Sequence, residues 1–170
     1  MRLRPPALEH RRTPKSPSGP PDLRLATQRR FLGMIALRPA TADDIPTILS
    51  FWADATAEPS STDDTEGIEG LLEHSPSALI VAVDAGVIVG SVIAGWDGWR
   101  GTLYRLAVAP ARRRHGIATA LVKAAEQHLH THGVRRMHLI VSTAGGPAAV
   151  DFWRSARYEP TDQVRMVKDL

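Results

Sequence analysis

Beyond residue 34 the apolar positions change period several times, and each change marks an element. Ile35 and Leu37 alternate ahead of Pro39, the pattern of a short edge strand. Thr41 suits an N-cap, with Asp43 and Asp44 in the first turn and Ile45, Ile48, Leu49 and Trp52 at helical spacing. A polar, turn-rich stretch separates this helix from a second one over 63–74, which carries Ile68, Leu71 and Leu72 and is stopped by Pro76. Two β-branched runs, 78–83 and 87–94, flank Asp84-Ala85-Gly86 and predict a hairpin in which Gly86 takes a positive φ. A third run follows over 102–108. The period then lengthens: Ile117, Leu121, Val122, Ala125 and Leu129 mark one face of a long helix ending near Gly133. A strand over 137–141, a short helix over 147–155 and a closing strand over 164–167 complete the order βααβββαβαβ. That order predicts an α/β fold, a mixed and mostly antiparallel sheet flanked by helices.

Composition adds a boundary and removes several function classes. Residues 1–33 hold eight Pro or Gly among Arg and Ser, without apolar periodicity, and predict a disordered tail ahead of one domain over 34–170. Met34 opens the patterned part, so a translation start there is an alternative that makes the tail an upstream extension. The net charge of +3 divides unevenly. Eight Lys/Arg against two acids lie in the tail, and 13 against 16 lie in the remainder. The folded part is therefore mildly acidic, which speaks against nucleic acid as its partner. No apolar run approaches the roughly 18 residues that span a bilayer, so no membrane role is expected. With no cysteine, thiolate metal sites and a cysteine nucleophile are excluded, and the cytoplasm is the simplest setting.

The segment richest in chemistry is Leu106-Ala107-Val108-Ala109-Pro110-Ala111-Arg112-Arg113-Arg114-His115-Gly116-Ile117-Ala118, a strand, a basic turn and a helix start. The first amide groups of a helix have no intrahelical acceptor. The absent side chain of Gly116 and the single methyl of Ala118 allow an anion close to that backbone. Three arginines beside the positive end of a helix dipole oppose a preference for acids of about 0.3–1 kcal/mol each. A bound anion removes the conflict; a merely solvated basic turn leaves the arginine cluster without a reason. A Rossmann turn needs G-x-G-x-x-G and a P-loop needs Lys-Ser/Thr after its last glycine, and neither pattern is present.

Arg113-Arg114-His115-Gly116-Ile117-Ala118 resembles the R/Q-x-x-G-x-G/A signature of the GNAT (GCN5-related) N-acetyltransferases, preceded by Leu106-Ala107-Val108-Ala109-Pro110, which is similar to their L-x-V-x-P strand. The resemblance extends over 35–170. It implies an acyltransferase that moves an acetyl group from acetyl-CoA, bound without a metal, to an amine by direct attack in a ternary complex. By the same resemblance Arg113, Arg114, His115, Gly116, Ile117 and Ala118 hold the coenzyme A pyrophosphate. Leu106, Ala107 and Val108 then border the pantetheine arm, where their strand splays from 137–141. The acceptor is a small-molecule or protein amine, and the resemblance allows a homodimer.

The expected catalytic pair departs from the family. Aligning Ala149 with the alanine of N-x-x-A-x-x-F/L-Y places Gly146 at the asparagine and Trp153 at the tyrosine, and an indole is no acid at neutral pH. Tyr158 is then either a displaced acid or packing. No carboxylate lies in 103–108 or 137–141, which leaves Asp97, Tyr104 and His138, in that order, as base candidates. Asp97 in Trp96-Asp97-Gly98 equally suits a turn. These departures keep a non-catalytic acyl-CoA-binding module as the alternative. His128 and His132 share a helix face but lack a third ligand, and predict a solvated helix end. Asp63, Asp64, Glu66, Glu69 and Glu73 lie where they could border the acceptor cleft and draw a cationic amine.

Overall fold

The computed structural model describes residues 35–55, 59–142, 146–164 and 166–168. The expected basic tail and the alternative start at Met34 lie outside the described residues.

Strand β1 (Ile35–Pro39) is tied at once to the turn beyond it. Arg38 reaches both oxygens of Asp44 (2.6 and 2.7 Å), while Thr41 donates to the same carboxylate from its backbone N–H (2.8 Å) and its hydroxyl (3.0 Å). Arg38 first, and Thr41 after it, hold the Asp44 carboxyl far below the usual carboxylate range. The capping box turns the chain through a 3-10 turn, Ala42–Asp44, into α1 (Ile45–Ala55). Helix α2 (Thr65–His74) starts two residues later than its apolar pattern suggested, because the Asp64 side chain caps it by accepting from Gly67 N–H (2.7 Å).

Strands β2 (Leu79–Asp84), β3 (Val87–Trp96) and β4 (Gly101–Val108) form an antiparallel meander with β1 at one edge. The β2–β3 turn places both Ala85 (φ 47°) and Gly86 (φ 84°) in the left-handed region, as a two-residue hairpin requires. After α3 (Ile117–Thr131) the short β5 (Met137–Leu139) returns parallel to β4 at the other edge. Helix α4 (Pro147–Ser155) starts and stops where its sequence predicted.

Both faces of the central strands are covered, so β2 reads as a continuous apolar run rather than an alternation. Ile80, Ala82, Val89, Val92, Ala94 and Leu103 meet Ile117, Leu121, Val122, Ala125 and Leu129 of α3. On the opposite face Leu79, Val81, Ile88 and Ala107 meet Ile45, Ile48, Phe51 and Trp52 of α1 and Ile68 of α2. Gly90 sets the depth of α3 on the sheet. A Cβ there would lie 3.0 Å from Leu121 Cδ1 and 3.1 Å from Ile117 Cγ2.

The α/β class and the mostly antiparallel sheet hold, and one element of the expected order does not. Of the closing strand expected over 164–167, residue 165 lies outside the described residues, and Val164, Met166 and Val167 have no ladder partner among the described ones, Val164 being 86% and Met166 92% exposed. Apolar side chains specify a strand only when an edge is within reach, and β5 ends at Leu139, two residues short of the predicted 141.

Candidate active site

The site is built around an irregularity in β4. Opposite β3, the register passes from Ser91↔Ala107 to Ile93↔Tyr104, so β4 contains one extra residue. Arg105 absorbs it with φ 49°, unusual for a residue with a Cβ. Four contacts hold this conformation. Fully buried Ser91 donates to the Arg105 carbonyl (3.0 Å) and accepts from Trp52 Nε1 (2.8 Å), which links α1, β3 and the bulge. The Arg105 guanidinium lies 5.4 Å from the Trp52 ring centroid and pairs with Asp63, fastening the segment before α2 to the sheet.

Past the bulge β4 has an open side. Parallel pairing with β5 covers Gly101↔Met137, Thr102↔His138 and Leu103↔Leu139 and stops there. Ala109 N–H turns toward β3 and donates to Val89 O (2.9 Å). By alternation, Leu106 and Val108 turn their main-chain groups away from β3, toward the side β5 has left. The result is a strand edge beyond Leu103 without a ladder partner among the described residues, on which the Val108 carbonyl is met by a side chain of the following loop.

That edge runs into the basic loop. A 3-10 turn, Pro110–Arg112, is followed by Arg114 (φ 67°) and Gly116 (φ 79°), two left-handed residues that swing the chain into α3. The backbone N–H groups of residues 114–119 have no acceptor among the described residues. A run of N–H groups without acceptors at a helix N-terminus suits an anion.

The three arginines do not act alike. Arg112 pairs with Asp84 at the end of β2 (2.6 Å). Arg113 donates from Nε to Val108 O (3.2 Å) and from Nη2 to Ala55 O at the end of α1 (3.4 Å). Those two brace the loop. Arg114 is exposed and makes no ion pair or hydrogen bond among the described residues, so its charge is available to a ligand. His115 Nδ1 donates to Arg113 O (2.7 Å), stiffening the turn.

The catalytic candidates lie in four different surroundings. Asp97 is exposed at the end of the β3–β4 pair remote from the loop, and accepts from the N–H groups of Arg100 (2.6 Å) and Trp99 (2.8 Å). Those bonds, Arg100 first, hold its carboxyl below the usual range, the state of a turn residue and a weak base. His138 is exposed, with Nε2 at 2.9 Å from Thr102 Oγ1. Tyr158 donates to Glu126 Oε1 on α3 (3.0 Å), and burial together with that carboxylate pushes its hydroxyl pKa well above the ordinary value. Its ring stands edge-on to Trp153 at 5.1 Å, so Tyr158 anchors α4 to α3. Tyr104 immediately precedes the bulge, is 50% exposed and has its ring over Gly95, where a Cβ would meet its Cε2 at 3.1 Å.

Two other expectations are revised. His128 is not solvated; it is 4% exposed, its ring 4.7 Å from that of His132, and burial foremost lowers its pKa to about 4. Of the five acids expected at the acceptor cleft, Asp63 is engaged by Arg105 and by Ser60 N–H, and Asp64 caps α2. Glu66, Glu69 and Glu73 remain exposed. Among the described residues no group of three or more His, Asp or Glu converges as a metal site, and no helix is long and apolar enough to cross a membrane. Sequence reasoning did not reach Trp52, Ser91, Asp63 and Arg105 as one unit, although a serine inside a β-branched run and an arginine inside an apolar strand were both visible signals.

Comparison with known proteins gives the arrangement its context. The model of the Acetyltransferase (GNAT) family matches residues 43–157. An acetyltransferase of Pectobacterium atrosepticum is 34% identical over 128 residues, 75% of this chain and 90% of that protein. Among solved structures, Ard1 from Thermoplasma volcanium superposes with a TM-score of 0.67 at 20% identity, covering 75% of this chain and 84% of its own. AAC(6')-Iy, solved with the bisubstrate analog CoA-S-monomethyl-acetylneamine, superposes with a TM-score of 0.63 at 18% identity, covering 80% and 98%. At such identities the two structures speak to the fold.

Proposed function

Since the chain belongs to the GNAT family of N-acetyltransferases, we propose that it moves an acetyl group from acetyl-CoA to a primary amine of a small molecule or protein. The observation that carries this reading is the run of N–H groups at residues 114–119 without acceptors among the described residues, placed where the open edge of β4 ends.

In this reading the pyrophosphate of acetyl-CoA accepts from the amides of Arg114, His115, Gly116, Ile117 and Ala118, with Thr119 adjoining and the Arg114 guanidinium adding charge. The pantetheine amides continue along Leu106, Ala107 and Val108 in the gap beside β5, which brings the thioester to the bulge. The amine attacks the thioester carbonyl carbon, the C–S bond breaks, the amine loses a proton and the departing sulfur gains one. Charge growing on the carbonyl oxygen is met by the Leu106 N–H, the first main-chain donor past the bulge on the open side. Holding both reactants in one place supplies on the order of 7–11 kcal/mol. That contribution suits a site whose side chains include no strong base.

Tyr104 is the candidate whose position favours a role in proton movement, because it adjoins the bulge and stays half exposed. The engaged carboxylate of Asp97 and the engaged hydroxyl of Tyr158 support structural roles for both. The exposed Glu66, Glu69 and Glu73 on α2 favour a cationic acceptor, such as a polyamine, an aminoglycoside-like amine or a protein N-terminus.

The test mixes the purified chain with acetyl-CoA and a panel of amines while free thiol is followed. The expected result is thiol release with one amine class and a lower kcat for Tyr104→Phe. Tight coenzyme A binding with no release for any amine would instead indicate the acyl-CoA-binding module.

A further inference from the structure

The β3–β4 pair has two ends. One, Gly90↔Val108, leads into the basic loop; the other, Trp96↔Gly101, leads to a cleft of about 300 Å3 lined by Trp99, Arg100, Arg135 and Arg136. We propose that this second cleft is a binding site for a phosphate-bearing small molecule, separate from the coenzyme A loop.

The cleft is assembled from two turns that are fixed independently of any ligand. On the β3–β4 side the Asp97 carboxylate accepts from Trp99 and Arg100 N–H, and Asp97 N–H donates to Arg100 O (3.3 Å). On the other side Gly101 N–H donates to Arg136 O (3.1 Å), which stitches the α3–β5 link to the start of β4. Gly101 makes that approach possible, since a Cβ there would lie 2.8 Å from Leu129 Cδ1 and 3.1 Å from Val134 Cγ1. Arg135 and Arg136 are thereby brought beside Arg100 by backbone contacts.

The charges in the cleft are one-sided. None of the three guanidinium groups makes an ion pair or side-chain hydrogen bond among the described residues. Asp97, the acid in the same turn, keeps its charge but is not among the residues that line the cleft, and one of its oxygens accepts from two amides. Three like charges converging on one concavity repel, and an oxyanion relieves the repulsion. Guanidinium forks match phosphate oxygens in pairs, and several arginines together suit a phosphate better than a single carboxylate. The Arg100 guanidinium is stacked 3.9 Å from the Trp99 ring centroid, which orients its fork, and Trp99 remains 70% exposed. A planar group attached to the phosphate can stack on the indole. The volume is at the small end for ligand sites, which suits a small molecule rather than a protein surface.

The test is a titration of the full chain with inorganic pyrophosphate, followed by tryptophan fluorescence, with Gly116→Val present throughout so that the loop at 112–118 does not compete. A saturable change is expected. Trp99→Phe removes most of the signal while calorimetry still detects binding, and the Arg135→Ala/Arg136→Ala variant binds at least tenfold more weakly with unchanged coenzyme A affinity. Both arginines are exposed; should the double variant fail to fold, Arg136→Ala alone is read the same way. Absence of saturable binding, equal affinity in the arginine variants, or a stronger response to citrate than to pyrophosphate would overturn the proposal.

Discussion

Tyr158 illustrates how one side chain's role is decided by its hydrogen bond rather than by its chemical type. Its hydroxyl proton is committed to Glu126, and burial next to that carboxylate raises its pKa. A group so held is a reluctant acid for a departing thiolate at neutral pH. Tyr158→Phe is accordingly expected to leave kcat within about twofold and to lower stability by about 1 kcal/mol, the usual net worth of such a bond. Denaturant unfolding alongside steady-state kinetics checks both; a large fall in kcat with intact stability would return Tyr158 to the catalytic machinery. Asp97 follows the same logic, since its carboxylate closes a turn. Residue types in the sequence make both into candidates; the turn was legible as the alternative for Asp97 from Trp96-Asp97-Gly98, whereas the bond of Tyr158 was not, because Glu126 is distant in sequence.

Among the elements, those specified by local rules were legible. The capping box at Thr41 and Asp44, the two-residue turn at Ala85 and Gly86, and helix α4 follow from spacing and turn chemistry. The β4 bulge was not legible, because a bulge is a register between two strands and its lock comes from Trp52 and Ser91, far away in sequence. The strand expected at 164–167 differs for the converse reason: its apolar pattern is right, but Val164, Met166 and Val167 have no ladder partner among the described residues. The C-terminal turn of α3 differs too: its histidines suggest a solvated end, and His128 is instead buried. That burial has a pH consequence. His128 has a pKa of about 4 in the folded protein against about 6.5 unfolded, so the unfolded chain binds the extra proton. Its contribution is fully present above about pH 6.5 and is lost as pH falls toward 4. Melting temperatures measured from pH 7.5 to 4 should fall over this window, and the fall should be shallower in His128→Gln; parallel curves would contradict the buried neutral histidine.

On the scale of the whole molecule, the features on which the coenzyme A reading rests gather at one end of the sheet. The bulge and the departure of β5 open the β4 edge, Arg112 and Arg113 brace the loop, and α3 begins where that edge ends, with a run of amides that have no acceptor among the described residues. The loop was legible from sequence because its glycine, its arginines and the flanking strand and helix all lie within one short segment. The division of labour among the arginines was not, since it depends on Asp84 and Ala55 from other elements. Calorimetric titration of coenzyme A into the wild-type chain, Arg114→Ala and Gly116→Val tests the central claim most directly. Gly116 has φ 79°, where a β-branched residue is strained and its side chain would crowd the bound anion. Arg114 is exposed, and its truncation removes charge without disturbing packing. The predicted result is affinity at least tenfold weaker for Gly116→Val and about three- to tenfold weaker for Arg114→Ala, which keeps its melting temperature. Coenzyme A binding with wild-type affinity to both variants would contradict the account.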